Sequence, residues 1–261
     1  MSRKYHGLNR TGIEYADFTL NPIVGCKRDC RDLDGNPYCY AKREVEHGRF
    51  REQHNWPKTF DDVSYYPLKV DTIRCLAEYK RRDGRRARVF LCDMADMLGP
   101  WVRDEWINDI IKAIRECPQH DFLILTKSYD RIGRWDYPGN VWLGASVDRR
   151  EKLIPAVDAL RTSGHAGVKW LSVEPMLEDI TPELFNFEGI GWIVVGALTG
   201  PHEKQPDYAA ILNMRKSADL GGVPMFEKDN LMIQGLGHRR EFPKLPERLP
   251  LYTPQQSEGW E

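Results

Sequence analysis

The chain has 261 residues, of which 41% are hydrophobic and 30% charged, so a sizeable core is expected and general disorder is not. Its 38 Lys and Arg residues nearly cancel its 39 Asp and Glu residues, which excludes broad polyanion binding and leaves nucleic acid only a local basic surface. No apolar run approaches the roughly 18 residues of a membrane span, and residues 1–10 are too polar for a signal peptide. We therefore expect a soluble, cytoplasmic protein without membrane contact.

Seven short apolar segments, rich in β-branched and aromatic residues, predict the strands of a sheet. Most are nearly continuous in hydrophobicity, which is typical of parallel strands that are buried on both faces. In chain order they are Leu20–Val24, Val89–Leu91, Phe122–Thr126, Val141–Ala145, Val168–Val173, Trp192–Val195 and Pro224–Phe226.

Segments of helical character lie between these strands. Trp101–Arg115 predicts an amphipathic helix, because isoleucines recur on one face and a proline follows its end; Glu151–Ser163 and Tyr208–Ala218 look similar. Alternating strands and helices indicate an α/β fold with a parallel sheet. No dinucleotide-type glycine motif follows the first strand, so a partial (β/α)6-type TIM-like barrel is favoured over an open doubly wound sheet. One domain is expected over residues 1–261, with a Pro-rich tail from about residue 243.

Three of the six cysteines follow the first predicted strand directly. Cys26 and Cys30 have three residues between them, and Cys39 comes after eight more. Active sites of (β/α) barrels are built at the C-terminal ends of the strands, where this loop should lie. Three thiolates suit three irons of a [4Fe–4S] cluster whose fourth iron stays open, whereas a zinc site needs a fourth ligand such as His47 or His54. Three unrelated cysteines are the remaining alternative.

An aromatic residue precedes the last of these cysteines, and further short motifs follow in order along nearly the whole chain. They read Thr11-Gly-Ile-Glu-Tyr15, Thr19-Leu-Asn-Pro22, Tyr38-Cys-Tyr-Ala41, Val89-Phe-Leu-Cys-Asp-Met-Ala-Asp96, Leu125-Thr-Lys127, Val141-Trp-Leu-Gly-Ala-Ser-Val147, Leu171-Ser-Val-Glu-Pro175, Gly191-Trp-Ile-Val-Val-Gly196 and Gly222-Val-Pro-Met-Phe226. Together they resemble a phage- and mobile-element-borne family of radical S-adenosylmethionine-like proteins, to which spore photoproduct lyase is more distantly similar.

The sequence departs from this family in two places. The usual superfamily spacing between the cysteines is three residues and then two, whereas this chain has three and then eight. A longer loop can still close, because loop length costs entropy only logarithmically. The sixth strand ends in Gly196-Ala-Leu-Thr-Gly200, without the acidic residue that the family tends to carry there.

The resemblance implies a role for each cysteine and for the polar residues at the strand ends. Cys26, Cys30 and Cys39 would hold the cluster, and Lys127 would bind the S-adenosylmethionine carboxylate. Cys92 would donate a hydrogen atom to a substrate radical, although a buried free cysteine is the commoner explanation. The other cofactor contacts implied are with adenine, amine or ribose, and involve Tyr38, Asp93, Asp96, Ser146, Asp148, Ser172 and Glu174.

These features predict a radical S-adenosylmethionine enzyme, of lyase or nucleotide-modifying type, that depends on an external electron donor. By resemblance, a nucleotide or nucleic acid is the substrate class to test first. One alternative is a zinc-stabilised nucleic-acid-binding module without catalysis, and another is a barrel enzyme of different chemistry with structural cysteines. The basic run Lys80–Arg88 is expected at the opposite end of the barrel, where it is usually a solvated connection.

Overall fold

The predicted apolar segments pair into one sheet of eight strands in the computed structural model, which describes residues 5–48, 54–81, 83–233, 235 and 237–244. A separate two-stranded pair lies beside it. The strands are β1 (Asn9–Arg10), β2 (Phe18–Leu20), β3 (Ile23–Val24), β4 (Ser64–Tyr65), β5 (Arg88–Leu91), β6 (Asp121–Thr126), β7 (Val141–Ser146), β8 (Lys169–Val173), β9 (Trp192–Val195) and β10 (Met225–Glu227).

The strands follow one another around the sheet in the order β1-β2-β5-β6-β7-β8-β9-β10. Within this sheet the neighbouring strands β2, β5, β6, β7, β8, β9 and β10 are parallel, and β1 runs antiparallel to its neighbour β2. Spatial order that follows chain order is the topology of a (β/α) barrel. The predicted α/β class and partial barrel are therefore confirmed, with seven parallel strands in the described part of the chain.

Five α-helices and shorter 3₁₀ segments connect the described strands. α3 begins three residues after its predicted start, because Val102 N–H still bonds Gly99 in a turn and Arg103 is the N-cap. The predicted third helix extends to Leu220, and none of the helices described is long and apolar enough to cross a bilayer. The helices are α1 (Tyr40–His47), α2 (Pro67–Cys75), α3 (Asp104–Arg115), α4 (Leu153–Thr162) and α5 (Tyr208–Leu220).

The first predicted strand is divided in two at Pro22. β2 ends at Leu20, and the chain then leaves the barrel as β3, which pairs with β4. Proline has no N–H to continue a ladder, so the break follows from the sequence. Gly25 follows β3 at φ +105°, where a Cβ would lie 2.8 Å from the Phe60 carbonyl oxygen, and it forms a parallel bridge with Ala95. Because Ala95 comes after the end of β5, this bridge holds the start of the cysteine loop at the C-terminal end of the sheet.

An aromatic layer fills the inside of the barrel. Trp142, Trp170 and Trp192 come from three consecutive strands, and the ring of Trp192 lies 5.5 Å from each of the other two. Side chains two positions apart share a face of a strand, so Gly144 and Ser172 follow on the same inner face. Large rings therefore fill the part of the barrel nearer the N-terminal ends of the strands, and small or polar groups lie nearer the C-terminal ends. The tail beyond residue 244 lies outside the described residues.

Candidate active site

The long spacing between Cys30 and Cys39 is explained by a small hairpin. Arg31 and Pro37 form an antiparallel bridge, and Tyr38 N–H donates to the Cys30 carbonyl at 3.1 Å. Asp32 stabilises the turn, because its carboxylate accepts the Asp34 and Asn36 backbone N–H groups at 3.0 and 2.7 Å. The hairpin returns the chain to its starting point, so Cys39 comes back beside Cys30 despite the eight intervening residues.

The three cysteines lie together as free thiols. The Cys26 sulfur accepts Arg28 N–H at 3.5 Å, and the Cys39 sulfur caps α1 by accepting Lys42 N–H at 3.4 Å. Burial, with smaller contributions from charge on Asp96, Cys30 and Cys39, raises the pKa of Cys26 to about 12. Burial also raises the pKa of Cys39. The thiols are thus close enough to interact electrostatically, and each would release its proton on binding a metal.

Lys127 stands beside the cysteines at the end of β6. Its ammonium lies 3.4 Å from the Cys30 sulfur and donates to the Tyr38 hydroxyl at 2.9 Å. It also lies 3.8 Å from Asp148 and 5.0 Å from the centre of the Tyr38 ring. The structure therefore places Lys127, Tyr38 and Asp148 in one polar group next to Cys30.

Two of the predicted cofactor carboxylates are occupied by protein donors. Asp148 is only 2% exposed and accepts the Tyr38 hydroxyl and the Lys152 ammonium, each at 2.6 Å. Burial alone would raise the pKa of Asp148, but these partners and Lys127 outweigh it and lower the pKa. Asp96 accepts the Thr126 hydroxyl at 2.5 Å and the Arg28 guanidinium at 3.0 Å. Both carboxylates act here as anchors of the cysteine loop, and their predicted cofactor contacts stay predictions.

Asp93 and Cys92 lie at the end of β5. The Asp93 carboxylate accepts the Asn21 amide at 2.6 Å, and burial raises its pKa to about 6. Cys92 is 2% exposed, has a φ of +57°, and its pKa is raised to about 12 by burial. Lys69 of α2 carries the nearby positive charge; burial lowers its pKa to about 8. The Cys92 thiol and the Asp93 carboxyl thus lie within electrostatic range of the Lys69 amine, and Cys92 and Lys69 are buried.

The remaining strand-end residues line the inner face. Ser146 and Ser172 are register partners on β7 and β8, are nearly fully buried, and their hydroxyls form no hydrogen bond within the described ranges. Glu174 forms an ion pair with Lys228, which follows β10. Gly196 permits this pair, since a Cβ there would lie 3.1 Å from the Glu174 side chain. Two uncommitted hydroxyls and an ion pair therefore face the same space.

Sequence reasoning missed three basic residues of this site. Lys228 follows its strand as Lys127 does, so its position at a strand end was an available signal. Arg28 lies within the cysteine loop itself and also donates to the Ser128 hydroxyl at 2.6 Å. Lys69 gave no signal, because only the tertiary structure buries it.

The three thiols equal in number the cysteine ligands of a [4Fe–4S] cluster with one open iron. Among the residues that the structure describes, no three His, Cys, Asp or Glu side chains are grouped as ligands of one metal ion. In a [4Fe–4S] cluster each cysteine binds a different iron, so its ligands need not converge on one point. His54, one predicted zinc ligand, stacks on Trp56 with ring centroids 4.8 Å apart, and its role as a ligand stays a prediction. Cys26, Cys30 and Cys39 are the residues that would hold a cluster.

The basic run lies at the opposite end of the barrel, as expected. It lines a groove of about 2870 Å³ beside the strand starts. Much of its charge is paired: Arg81 contacts Asp17 and Asp83, and Arg86 contacts Asp121 at 2.8 Å. Residue 82 lies outside the described ranges. These pairs favour a structural role for the run.

Comparison with known proteins gives a family. Two cysteine variants of spore photoproduct lyase are structurally similar, with TM-scores of 0.47 and 0.49 and 13% sequence identity. Each match covers 81% of this chain and 63% of the other, so the chain spans less than two thirds of their length. No curated protein matches. The model of a family described as protein of unknown function (DUF5131) matches residues 10–234, and the chain therefore belongs to the DUF5131 family.

Proposed function

We propose that this protein is a radical S-adenosylmethionine enzyme. The observation that carries the proposal is the hairpin that brings Cys39 back to Cys30 and Cys26 at the C-terminal end of a parallel barrel. The order of sequence motifs along the chain supports it. Cys26, Cys30 and Cys39 would hold a [4Fe–4S] cluster, which would supply the electron for reductive cleavage of S-adenosylmethionine and so for hydrogen abstraction from the substrate. The electron comes from an external donor.

The chain's own residues prepare the site for these ligands. Lys127 places a positive charge 3.4 Å from the Cys30 sulfur and offers a partner for the carboxylate of S-adenosylmethionine. Ser146 and Ser172 provide free hydroxyls for polar groups of the ligand, with Asp93 and Glu174 as charged partners. The aromatic layer below excludes water from that side. A nucleotide or nucleic acid is the substrate class we propose.

Cys92 is proposed as the hydrogen donor. A donor thiol must keep its proton, and burial does so by raising the pKa of Cys92 to about 12. If the substrate reacts in D₂O, deuterium from the exchanged thiol should appear in the product, because the thiol gives its hydrogen atom to the substrate radical and becomes a thiyl radical. Cys92→Ala should abolish this deuterium, whereas Cys117→Ala, at another buried cysteine, should not. Equal deuterium in both variants would assign Cys92 a packing role.

Anaerobic purification and reconstitution test the proposal directly. We expect a brown protein with absorption near ~400 nm, about four irons per chain, and reductive cleavage of S-adenosylmethionine. Each of Cys26→Ala, Cys30→Ala and Cys39→Ala should lose all three properties, and the control Cys75→Ala should keep them. A colourless protein with bound zinc would support the nucleic-acid-binding alternative. Full cleavage activity in the three alanine variants would refute the proposed cluster ligands.

A further inference from the structure

Two tryptophan side chains beside the cysteine loop have an indole N–H without an acceptor. The Nε1 atoms of Trp56 and Trp101 are fully buried, and neither has a hydrogen-bond partner within the described residues. Both rings pack against one small hydrophobic core, and so does Cys39. The buried members of this core are Val24, Cys26, Ala41, Val45 and Phe60. Two of the three proposed cluster ligands therefore share their surroundings with two unpaired donors.

Trp101 lies against the start of the cysteine loop through Arg28. The Arg28 guanidinium lies 5.7 Å from the centre of the Trp101 ring, and Arg28 N–H donates to the Cys26 sulfur at 3.5 Å. Gly99 permits this position of the ring, because a Cβ there would lie 2.7 Å from Trp101 Nε1. One residue, Arg28, thus contacts both the indole and the first cysteine.

Trp56 comes from a segment that runs beside the same cysteine. Cys26 N–H donates at 2.8 Å to the carbonyl of Phe60, which follows Trp56 in this segment. The Tyr66 hydroxyl donates at 2.7 Å to the carbonyl of Asn55, which fixes the backbone directly before Trp56. The two indoles therefore approach the hydrophobic core from different parts of the chain, one between α1 and β4 and the other after β5.

The two indole groups need an acceptor of the kind that an iron–sulfur cluster offers. An indole N–H can only donate a hydrogen bond, and a buried donor without an acceptor is costly. The sulfides and thiolates of a [4Fe–4S] cluster are negatively charged acceptors, and Cys26 and Cys39 would hold such a cluster at this core. Access from solvent is not required, since the cysteines pack together with the indoles. Hydrogen bonds to the sulfurs are among the features that set the reduction potential of a cluster.

We propose that the indole N–H groups of Trp56 and Trp101 donate hydrogen bonds to sulfur atoms of the iron–sulfur cluster and raise its reduction potential. The reduced cluster carries one more negative charge than the oxidised cluster, so hydrogen-bond donors stabilise the reduced form more. An external reductant supplies this one electron, and no bond of the protein forms or breaks. The inference rests on the cluster of the proposed function and gives two residues other than its ligands a part in its reduction.

A redox titration of the reconstituted full chain, followed by electron paramagnetic resonance, tests this assignment. Dithionite is the reductant, and the signal of the one-electron-reduced cluster is measured. At the midpoint potential of the unmodified chain, we expect Trp101→Phe to have a reduced-to-oxidised ratio about tenfold lower, which is a shift of about 59 mV to more negative potential. Trp56→Phe should shift in the same direction. Phenylalanine keeps an aromatic ring in the hydrophobic core but has no N–H.

Trp106→Phe is the control, because Trp106 stacks on Tyr65 with ring centroids 5.1 Å apart and is not part of this hydrophobic core. Unchanged midpoint potentials in Trp56→Phe and Trp101→Phe, or an equal shift in Trp106→Phe, would overturn the inference. An unmodified chain that assembles no cluster would refute the proposed function together with this inference. A normal cluster whose potential is the same in all variants refutes only the role of the indoles.

A second measurement requires no substitution in the hydrophobic core. The unmodified chain is produced with tryptophan that is isotopically labelled at the indole nitrogen. Pulsed paramagnetic resonance of the reduced cluster should then detect coupling to the labelled nitrogen, and the labelled Trp106→Phe variant should retain this coupling. Absence of coupling in the unmodified chain would overturn the proposed hydrogen bonds, whatever the stability of the phenylalanine variants.

Discussion

The Tyr38 hydroxyl donates a 2.6 Å hydrogen bond to the Asp148 carboxylate, joining the cysteine loop to the end of β7 across 110 positions of sequence. Asp148 also accepts a hydrogen bond from the ammonium of Lys152, the residue directly before α4. Since Tyr38 precedes Cys39 directly, the position of the last thiol depends on this contact. The loop is thus anchored to the barrel by polar bonds at its closing end.

Removing the Tyr38 hydroxyl should loosen the cysteine loop. We expect Tyr38→Phe to lower the free energy of unfolding by about 1–2 kcal/mol, because Asp148 and Lys127 each lose a buried partner. Amides of residues 30–38 should exchange faster with solvent. Hydrogen exchange and urea unfolding measure both effects. Tyr208→Phe, at an exposed tyrosine, is the control, and the same change in both variants would contradict the anchor.

The hairpin should be replaceable by a shorter connection. Because the Cys30 carbonyl already bonds Tyr38 N–H, an Asn-Gly dipeptide in place of residues 31–37 should close the same gap. We expect this variant to keep about the iron content of the unmodified chain after anaerobic reconstitution. A seven-residue Gly/Ser replacement, which lacks the Asp32 turn, should retain less. Loss of iron in the short variant alone would show that the hairpin has a role beyond closure.

Asp93 should make stability depend on pH. Burial raises its pKa to about 6, so the folded protein keeps a proton that the unfolded chain loses near pH ~4. The free energy of unfolding should therefore fall as pH rises from about 4 to about 6, by up to about 3 kcal/mol. Asp93→Asn should lack this decrease, and the exposed-site control Asp130→Asn should retain it. Urea unfolding at several pH values tests this, and parallel curves for both variants would contradict it.

The aromatic layer should tolerate no added volume at Gly144. A Cβ there would lie 2.4 Å from the ring of Trp170, its partner on the neighbouring strand, and that ring is fully buried. Gly144→Ala should cost about 1–3 kcal/mol in unfolding free energy, since the ring cannot move without disturbing Trp192. Gly133→Ala provides the comparison, because its Cβ would meet its nearest atom at an ordinary 3.7 Å. Similar stability of the two variants in urea would argue against tight packing here.

The local pattern of apolar residues was sufficient to predict the α/β class of the fold. Runs such as Phe122–Thr126 are apolar on both faces, and a strand with both faces buried is typical of a parallel sheet. The break at Pro22 was also readable in principle, because the missing N–H is a property of the residue itself. The start of the cysteine loop was also predictable from the local pattern, because Cys26 comes directly after an apolar segment typical of a strand.

Tertiary structure decided what each polar residue does. Four of the predicted cofactor ligands lie at or just beyond the C-terminal end of a strand, namely Asp96, Asp148, Ser146 and Ser172. The sequence does not distinguish among them. Folding separates them, because the two carboxylates meet donors from distant segments while the two hydroxyls meet none in the described part of the chain. Burial of Lys69 and the approach of Lys127 to Cys30 arise in the same way. Secondary structure depends on neighbours in sequence, but hydrogen-bond partners and desolvation depend on neighbours in space.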